Sequence, residues 1–123
     1  MAIDRGEWTR RLFQSIDNRD IDEFEGFLTD DVVFKFGNAD PVKGKATVRE
    51  VVAGFFGSIS GLQHSLEKVW DEEDAIICHG RVTYTRHDSS NLSVPFANIF
   101  VMRDDLIEEY LIFVDTSDLY RLA

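Results

Sequence analysis

The chain has one cysteine, Cys78, in 123 residues. An intramolecular disulfide is thereby excluded, and a thiol set in an apolar run reads as a buried, inert group. Basic residues are scarce: 13 Lys and Arg stand against 23 Asp and Glu, a formal charge of −10. That field repels a phosphate backbone or an anionic membrane, so neither nucleic acid nor membrane is expected as a partner, and a large anionic substrate is disfavoured. No apolar run approaches membrane-spanning length, and the N-terminal MAIDRGEWTRRLF lacks the continuous apolar stretch of a signal peptide. A cytoplasmic protein is expected, and the Asn91-Leu92-Ser93 sequon then carries little meaning. His64, His79 and His87 are scattered, with no HxH, HxxxH or Cys/His spacing, so no metal site is expected. A Gly-rich phosphate loop and a Ser/His/Asp arrangement are also missing, and no cofactor is implied.

What is present is a core. Hydrophobic residues make up 44% of the chain, enough for one globular domain over residues 1–123 with no linker, repeat or low-complexity segment. Phe accounts for 10 of the aromatics, against 3 Tyr and 2 Trp. Phe fills space without asking for a hydrogen bond, so the interior, pocket included, should be apolar.

Periodicity orders the elements. Trp8, Leu12 and Ile16 repeat at i, i+4 and predict a first helix over about 3–17. Asp20-Ile21-Asp22-Glu23 reads as a capping box opening a short second helix whose buried face is Ile21, Phe24, Phe27 and Leu28. Val48, Val51, Val52, Phe55 and Phe56 predict a third helix entered at Gly44. Residues 31–36 form a strand between the second and third helices, ended by the loop Gly37–Pro41. Four strands close the chain, over 62–70, 75–86, 92–103 and 106–115.

Alternation assigns their faces. Leu62, His64, Leu66 and Trp70 share a side; so do Cys78, Gly80, Val82 and Tyr84; Phe96, Asn98, Phe100 and Met102; and Tyr110, Ile112 and Val114. The bulkier sides should face the helices. The opposite side, with Ile77, Ile99, Val101, Leu111 and Phe113, is apolar too, and a second subunit is its simplest cover. A homodimer is expected.

The order αα-β-α-ββββ resembles the nuclear-transport-factor-2-like superfamily, and within it the SnoaL-like group. Four stretches carry the resemblance: Ile16-Asp17-Asn18-Arg19-Asp20, Leu28-Thr29-Asp30-Asp31-Val32, Gly80 through Arg86, and Leu106-Ile107 through Asp115. It implies an α+β fold: a cone-shaped, strongly curved, mostly antiparallel sheet wrapped by three N-terminal helices around an apolar pocket. Members include isomerases, epoxide hydrolases, polyketide cyclases, dehydratases and non-catalytic binders, so the fold does not fix the activity. Ketosteroid isomerase, whose fold this resembles, uses a carboxylate base with a tyrosine and a protonated acid as oxyanion donors. By order and spacing these positions fall on Phe36, Phe13 and Phe100, and a phenyl ring can do neither job. Ketosteroid isomerase activity is not expected. Arg81 matches the arginine of the epoxide-hydrolase Asp–Arg–Asp arrangement, but Thr83 and Ile112 stand where its aspartates belong. The cyclase acid falls on Ile112 as well. Asp115 matches an acidic position at the end of the last strand, where a turn carboxylate is the plainer reading.

Few polar groups remain on the inner side. His64 is the candidate general acid or base, read otherwise as a satisfied core histidine. Asn98, between Phe96 and Phe100, can orient a ligand carbonyl or hydroxyl. Tyr84 and Tyr110 are core edges or ligand contacts. Asn38 and Asp40 read as turn formers near the mouth. The expected ligand-binding set is Phe13, Phe36, His64, Tyr84, Asn98, Phe100, Tyr110 and Ile112, holding a small hydrophobic, oxygen-bearing molecule. Two functions stay open: a binding module of unknown activity, or a cofactor-independent isomerase, cyclase or dehydratase using His64. An imidazole oriented by a carboxylate favours the enzyme; one locked to backbone favours the binder.

Overall fold

The computed structural model describes residues 4–120. The first helix, α1 (Arg5–Asp17), is capped by Asp4, whose carboxylate accepts the N–H groups of Gly6 and Glu7. Residue 3, its expected start, lies outside the described residues. Helix α2 (Ile21–Glu25) opens as the capping-box reading predicts, with the Glu23 N–H donating to Asp20 Oδ1 at 3.1 Å. Helix α3 (Lys45–Gly57) begins after Gly44, whose φ of 96° suits glycine.

Six strands follow the chain as β1 (Leu28–Phe36), β2 (Val42–Lys43), β3 (Gly61–Asp71), β4 (Ala75–Thr85), β5 (Asn91–Arg103) and β6 (Leu106–Val114). They form one mixed sheet in the order β2-β1-β6-β5-β4-β3, antiparallel except where β1 runs parallel to β6. Several details depart from the sequence reading, and the first is that α2 ends at Glu25, so Phe27 and Leu28 lie beyond it. β1 starts at Leu28, three residues early, because the Ile107 N–H reaches back to the Phe27 carbonyl and extends the pairing. The loop after β1 contains the two-residue strand β2, which local pattern cannot signal because its only support is pairing with Val33 and Phe34.

The helices cover the inner face: α1 packs over β3, and α3 over β1. Cys78, Val82, Tyr84, Phe96, Asn98, Phe100, Met102 and Tyr110 are all buried there, as alternation predicts. An aromatic chain runs through this core. Trp8 meets Phe27 and Phe100 edge-on, and Phe100 meets Tyr110 with ring centres 4.8 Å apart.

Trp70 is a correction. Leu66 pairs with Gly80, but Lys68 pairs with His79, leaving Glu67 as an extra residue in β3. A one-residue bulge reverses the parity of everything beyond it. Trp70 therefore pairs with Ile77 on the outer face, stacked on the His79 ring, and does not share the side of Leu62, His64 and Leu66. Beside the bulge β3 presses on β4: a Cβ added at Gly80 would stand 1.9 Å from the Ser65 carbonyl oxygen. Gly80→Ala should lower the thermal midpoint, at the upper end of the ~1–3 kcal/mol cost of overpacking. A midpoint equal to wild type would contradict this close approach.

The outer face keeps its apolar strip. Ile77, Ile99, Val101 and Leu111 are half-buried and Phe113 is 54% exposed. A homodimer through this strip remains the expectation. Sedimentation at micromolar concentration should give a dimer that Phe113→Lys dissociates; a wild-type monomer would refute it.

Candidate functional site

The inner face of the sheet and the helices enclose a cavity of about 200 Å³. The end of α1 contributes Ile16, α2 contributes Phe24, and α3 contributes Val51, Val52, Phe55 and Phe56. Val51 is 42% exposed and Ala39 comes from the loop before β2, so the mouth opens between that loop and α3.

The structure brings Phe36, His64, Tyr84, Asn98, Tyr110 and Ile112 to the wall of this one cavity. Phe13 and Phe100 are not on the wall. Both are buried behind it: the Phe13 ring backs the His64 imidazole at 4.9 Å, and Phe100 lies between Trp8 and Tyr110. They sit on inner faces, as alternation requires, but alternation fixes a side and not a depth. The α3 residues were visible in the sequence as an apolar helix face. Whether such a face meets core or cavity depends on how far the helix stands from the sheet.

His64 is held by a residue that sequence reasoning passed over. Its Nδ1 lies 2.6 Å from Asp17 Oδ1, and its backbone N–H donates to Asp17 Oδ2 at 3.1 Å. Asp17 is the last residue of α1. A carboxylate there faces the negative end of the helix dipole, an unfavourable placement without a compensating partner. That mismatch, within the stretch Ile16-Asp17-Asn18-Arg19-Asp20, was the available signal. The chain turns sharply just after it. Arg19 adopts a φ of 52°, its N–H donates to the Ile16 carbonyl, and the Asp20 N–H to that of Ser15. This is the helix-ending motif that glycine usually serves, here made with an arginine.

A carboxylate on Nδ1 decides the imidazole's tautomer. The neutral ring carries its proton on Nδ1, toward Asp17, and presents the Nε2 lone pair, which no group of the described residues engages. Phe13 and Phe96 flank the ring, the latter edge-to-face at 5.1 Å, and leave it little freedom to turn.

The remaining polar groups on the wall are neutral. Asn98 is 2% exposed, and its Oδ1 is sealed without a partner. Burial pushes the Tyr84 and Tyr110 hydroxyls up, so both stay protonated donors. Burial likewise raises the Cys78 thiol to about 12, consistent with the inert group expected. Among the described residues, no Lys, Arg, Asp or Glu lines the cavity. Among the described residues no three His, Cys, Asp or Glu side chains converge as metal ligands do.

Other candidates lie elsewhere. Arg81 is exposed and binds Ser93 across the strands, away from the cavity wall. Asp115 accepts the Ser117 N–H, which holds its carboxyl below the usual range, as a turn residue does. Asn38 and Asp40 are exposed in the loop, as turn formers.

Residues 9–110 match the model of the SnoaL-like domain family. The chain belongs to that family. No curated protein matches the sequence. Among solved structures, an NTF2-like protein of unknown function from Burkholderia pseudomallei K96243 superposes with a TM-score of 0.86 at 13% identity, covering 98% of each chain. An epoxide hydrolase of the LEH-like type from M. tuberculosis gives 0.78 at 14% identity, over 94% of this chain and 85% of its own. A putative SnoaL-like polyketide cyclase from Jannaschia sp. CCS1 gives 0.79 at 20% identity, over 92% and 86%. At these identities the likeness shows the fold, which has hydrolase and cyclase members. No helix among the described residues is long and apolar enough to cross a membrane.

The tautomer is directly measurable. Nitrogen-detected NMR of the wild-type SnoaL-like domain should show the neutral His64 ring protonated at Nδ1, and Asp17→Asn should shift it toward the Nε2-protonated form. A wild-type ring already protonated at Nε2 would rule out the orienting role of Asp17.

Proposed function

We propose that this SnoaL-like domain is a cofactor-independent acid–base enzyme acting on a small, neutral, mostly apolar molecule that bears oxygen. The observation that carries the reading is the Asp17–His64 pair on the wall of an apolar cavity. A histidine needed only for packing can be satisfied by any backbone carbonyl. This one is oriented by a carboxylate, with its other nitrogen left for a ligand. Such a base withdraws a proton from the ligand and, as imidazolium stabilised by Asp17, returns it elsewhere. Isomerisation, cyclisation, dehydration and hydration all need no more than that. Among the described residues the wall carries no Lys or Arg, which disfavours carboxylates and phosphates as ligands, in keeping with the charge of −10. The reading keeps the cytoplasmic location suggested by the sequence.

The test needs no natural substrate. Exchange of the α-protons of 1-indanone for deuterium, followed by NMR, reports proton transfer at carbon. Wild type should accelerate it, and His64→Gln should remove about 10²–10⁴-fold of that acceleration, the usual share of a positioned acid or base. A wild type that binds 1-indanone yet leaves exchange at the buffer rate would instead support a non-catalytic binder.

A further inference from the structure

The end of the sheet that carries the cavity's mouth is only partly open. β1 runs parallel to β6, and β5, β4 and β3 alternate in direction from there. Phe36, Gly61, Thr85, Asn91 and Val114 therefore all stand at one end of the sheet. Phe36, Leu62, Tyr84 and Ile112 line the cavity close to that end of their strands. The loop carrying Ala39 and helix α3 frame the mouth on the β1 side. On the side of β3 and β4, the chain leaving β6 crosses the same end.

Residues 116–120 belong to no helix or strand, and the Leu119 N–H closes a turn on the Thr116 carbonyl. Ser117, Asp118 and Tyr120 are exposed, whereas Leu119 is 1% exposed and joins the hydrophobic core. Arg86, just past β4, anchors this turn. Its Nε donates to the Leu119 carbonyl at 2.8 Å and its Nη2 to that of Asp118 at 2.9 Å. Nη1 donates to Ser90 Oγ and the Asn91 carbonyl, which fixes the direction of the planar fork. On the other side, the Tyr120 hydroxyl lies 2.8 Å from Ser58 Oγ at the end of α3. Burial raises the Tyr84 hydroxyl and the Tyr120 hydroxyl adds to the rise, so the turn sits beside the Tyr84 part of the wall. The turn itself asks for no leucine, because its bonds run through backbone carbonyls and the Tyr120 hydroxyl.

We infer that Leu119 is the end-stop of the cavity, held in place by Arg86, and that it sets the length of the apolar ligand the cavity admits. The inference rests on the small, mostly apolar ligand of the reading above, but not on proton transfer. Phe56, Leu62 and Tyr84 are wall residues and Leu119 is not. Ser58 follows Phe56 by two positions and Arg86 follows Tyr84 by two, so the leucine they hold packs outside the wall at that corner. Cutting it back to alanine removes about three carbons, and packed surroundings refill such a gap only in part. The space released adjoins the cavity and lengthens it.

The experiment measures affinities for n-alkylbenzenes, from ethylbenzene to hexylbenzene, by calorimetry. It compares wild type with Leu119→Ala, Leu119→Phe and Arg86→Gln. In wild type, affinity should rise by about fourfold per buried CH2 and then fall away at one chain length. Leu119→Ala should move that limit outward by about two carbons, making the longest chain bound at least about tenfold tighter, relative to ethylbenzene, than in wild type. Leu119→Phe should move the limit inward. Arg86→Gln, which keeps the leucine but loses its hold, should move it outward. Each readout is a ratio between ligands within one variant, so a general loss of stability leaves it unchanged. A limit that stays put in Leu119→Ala would overturn the end-stop, as would a uniform change at every chain length. Should Leu119→Ala not fold, an unmoved limit in both other variants would overturn it equally. A wild type that binds no alkylbenzene would bring down the apolar-ligand reading and the end-stop together. Uncatalysed exchange of 1-indanone, with a limit that moves as stated, would remove the enzyme and leave the end-stop.

Discussion

The Asp17 carboxylate joins the end of α1 to β3 beside the cavity wall. One oxygen takes the His64 backbone N–H and the other its ring nitrogen, so main chain and side chain of β3 are held together to the end of α1. Hydrogen bonds to a charged group are the stronger kind, and the Phe13 and Phe96 rings flank the imidazole that makes this one. The sharp turn at Arg19 ends the helix right after Asp17, so the carboxylate is presented at a fixed height above the strand. Every feature of the proposed chemistry, from tautomer to proton acceptor, follows from that placement.

Around it, the interior divides its labour by residue type. Phe rings supply volume and exclude water. The few polar atoms are thereby placed in surroundings where each hydrogen bond matters more than it would in solvent. Among the described residues, four of them lie on the cavity wall without a hydrogen-bond partner: the far nitrogen of His64, the side-chain amide of Asn98 and the hydroxyls of Tyr84 and Tyr110. A purely structural core rarely tolerates such a set. Charged pairs such as Arg103 with Asp31, by contrast, stay on the surface, where they add little to stability.

The SnoaL-like frame is used here without the acids seen in its better-known chemistries. Phe36 lies on the wall and Phe13 and Phe100 behind it, where the isomerase resemblance would place a base and two donors. The polar side chains on the described wall are His64, with Asp17 behind it, Asn98, Tyr84 and Tyr110. A scaffold that presents inward side chains from five strands and three helices can carry reactive groups at different positions without changing its core, because any inward position near the cavity serves.

Much of this was legible in the chain itself. Helical and strand periods, capping residues and turn clusters depend on neighbours a few positions apart. The α+β order, three helices, the inner faces of β4, β5 and β6 and the inward aim of His64 and Asn98 could therefore be read directly. Failures came where a contact is distant in sequence. β2 exists only by pairing with β1, and the bulge at Glu67 that turns Trp70 outward is set by how β3 lies against β4. The depth of Phe13 and Phe100 depends on how helices and sheet stack. The Asp17–His64 pair spans 47 positions and leaves no periodic trace. Up to the bulge in β3, local pattern determined which side a strand residue faces; only the tertiary structure decided which of those residues meet, because meeting depends on the packing distance between elements, and no local period encodes that distance.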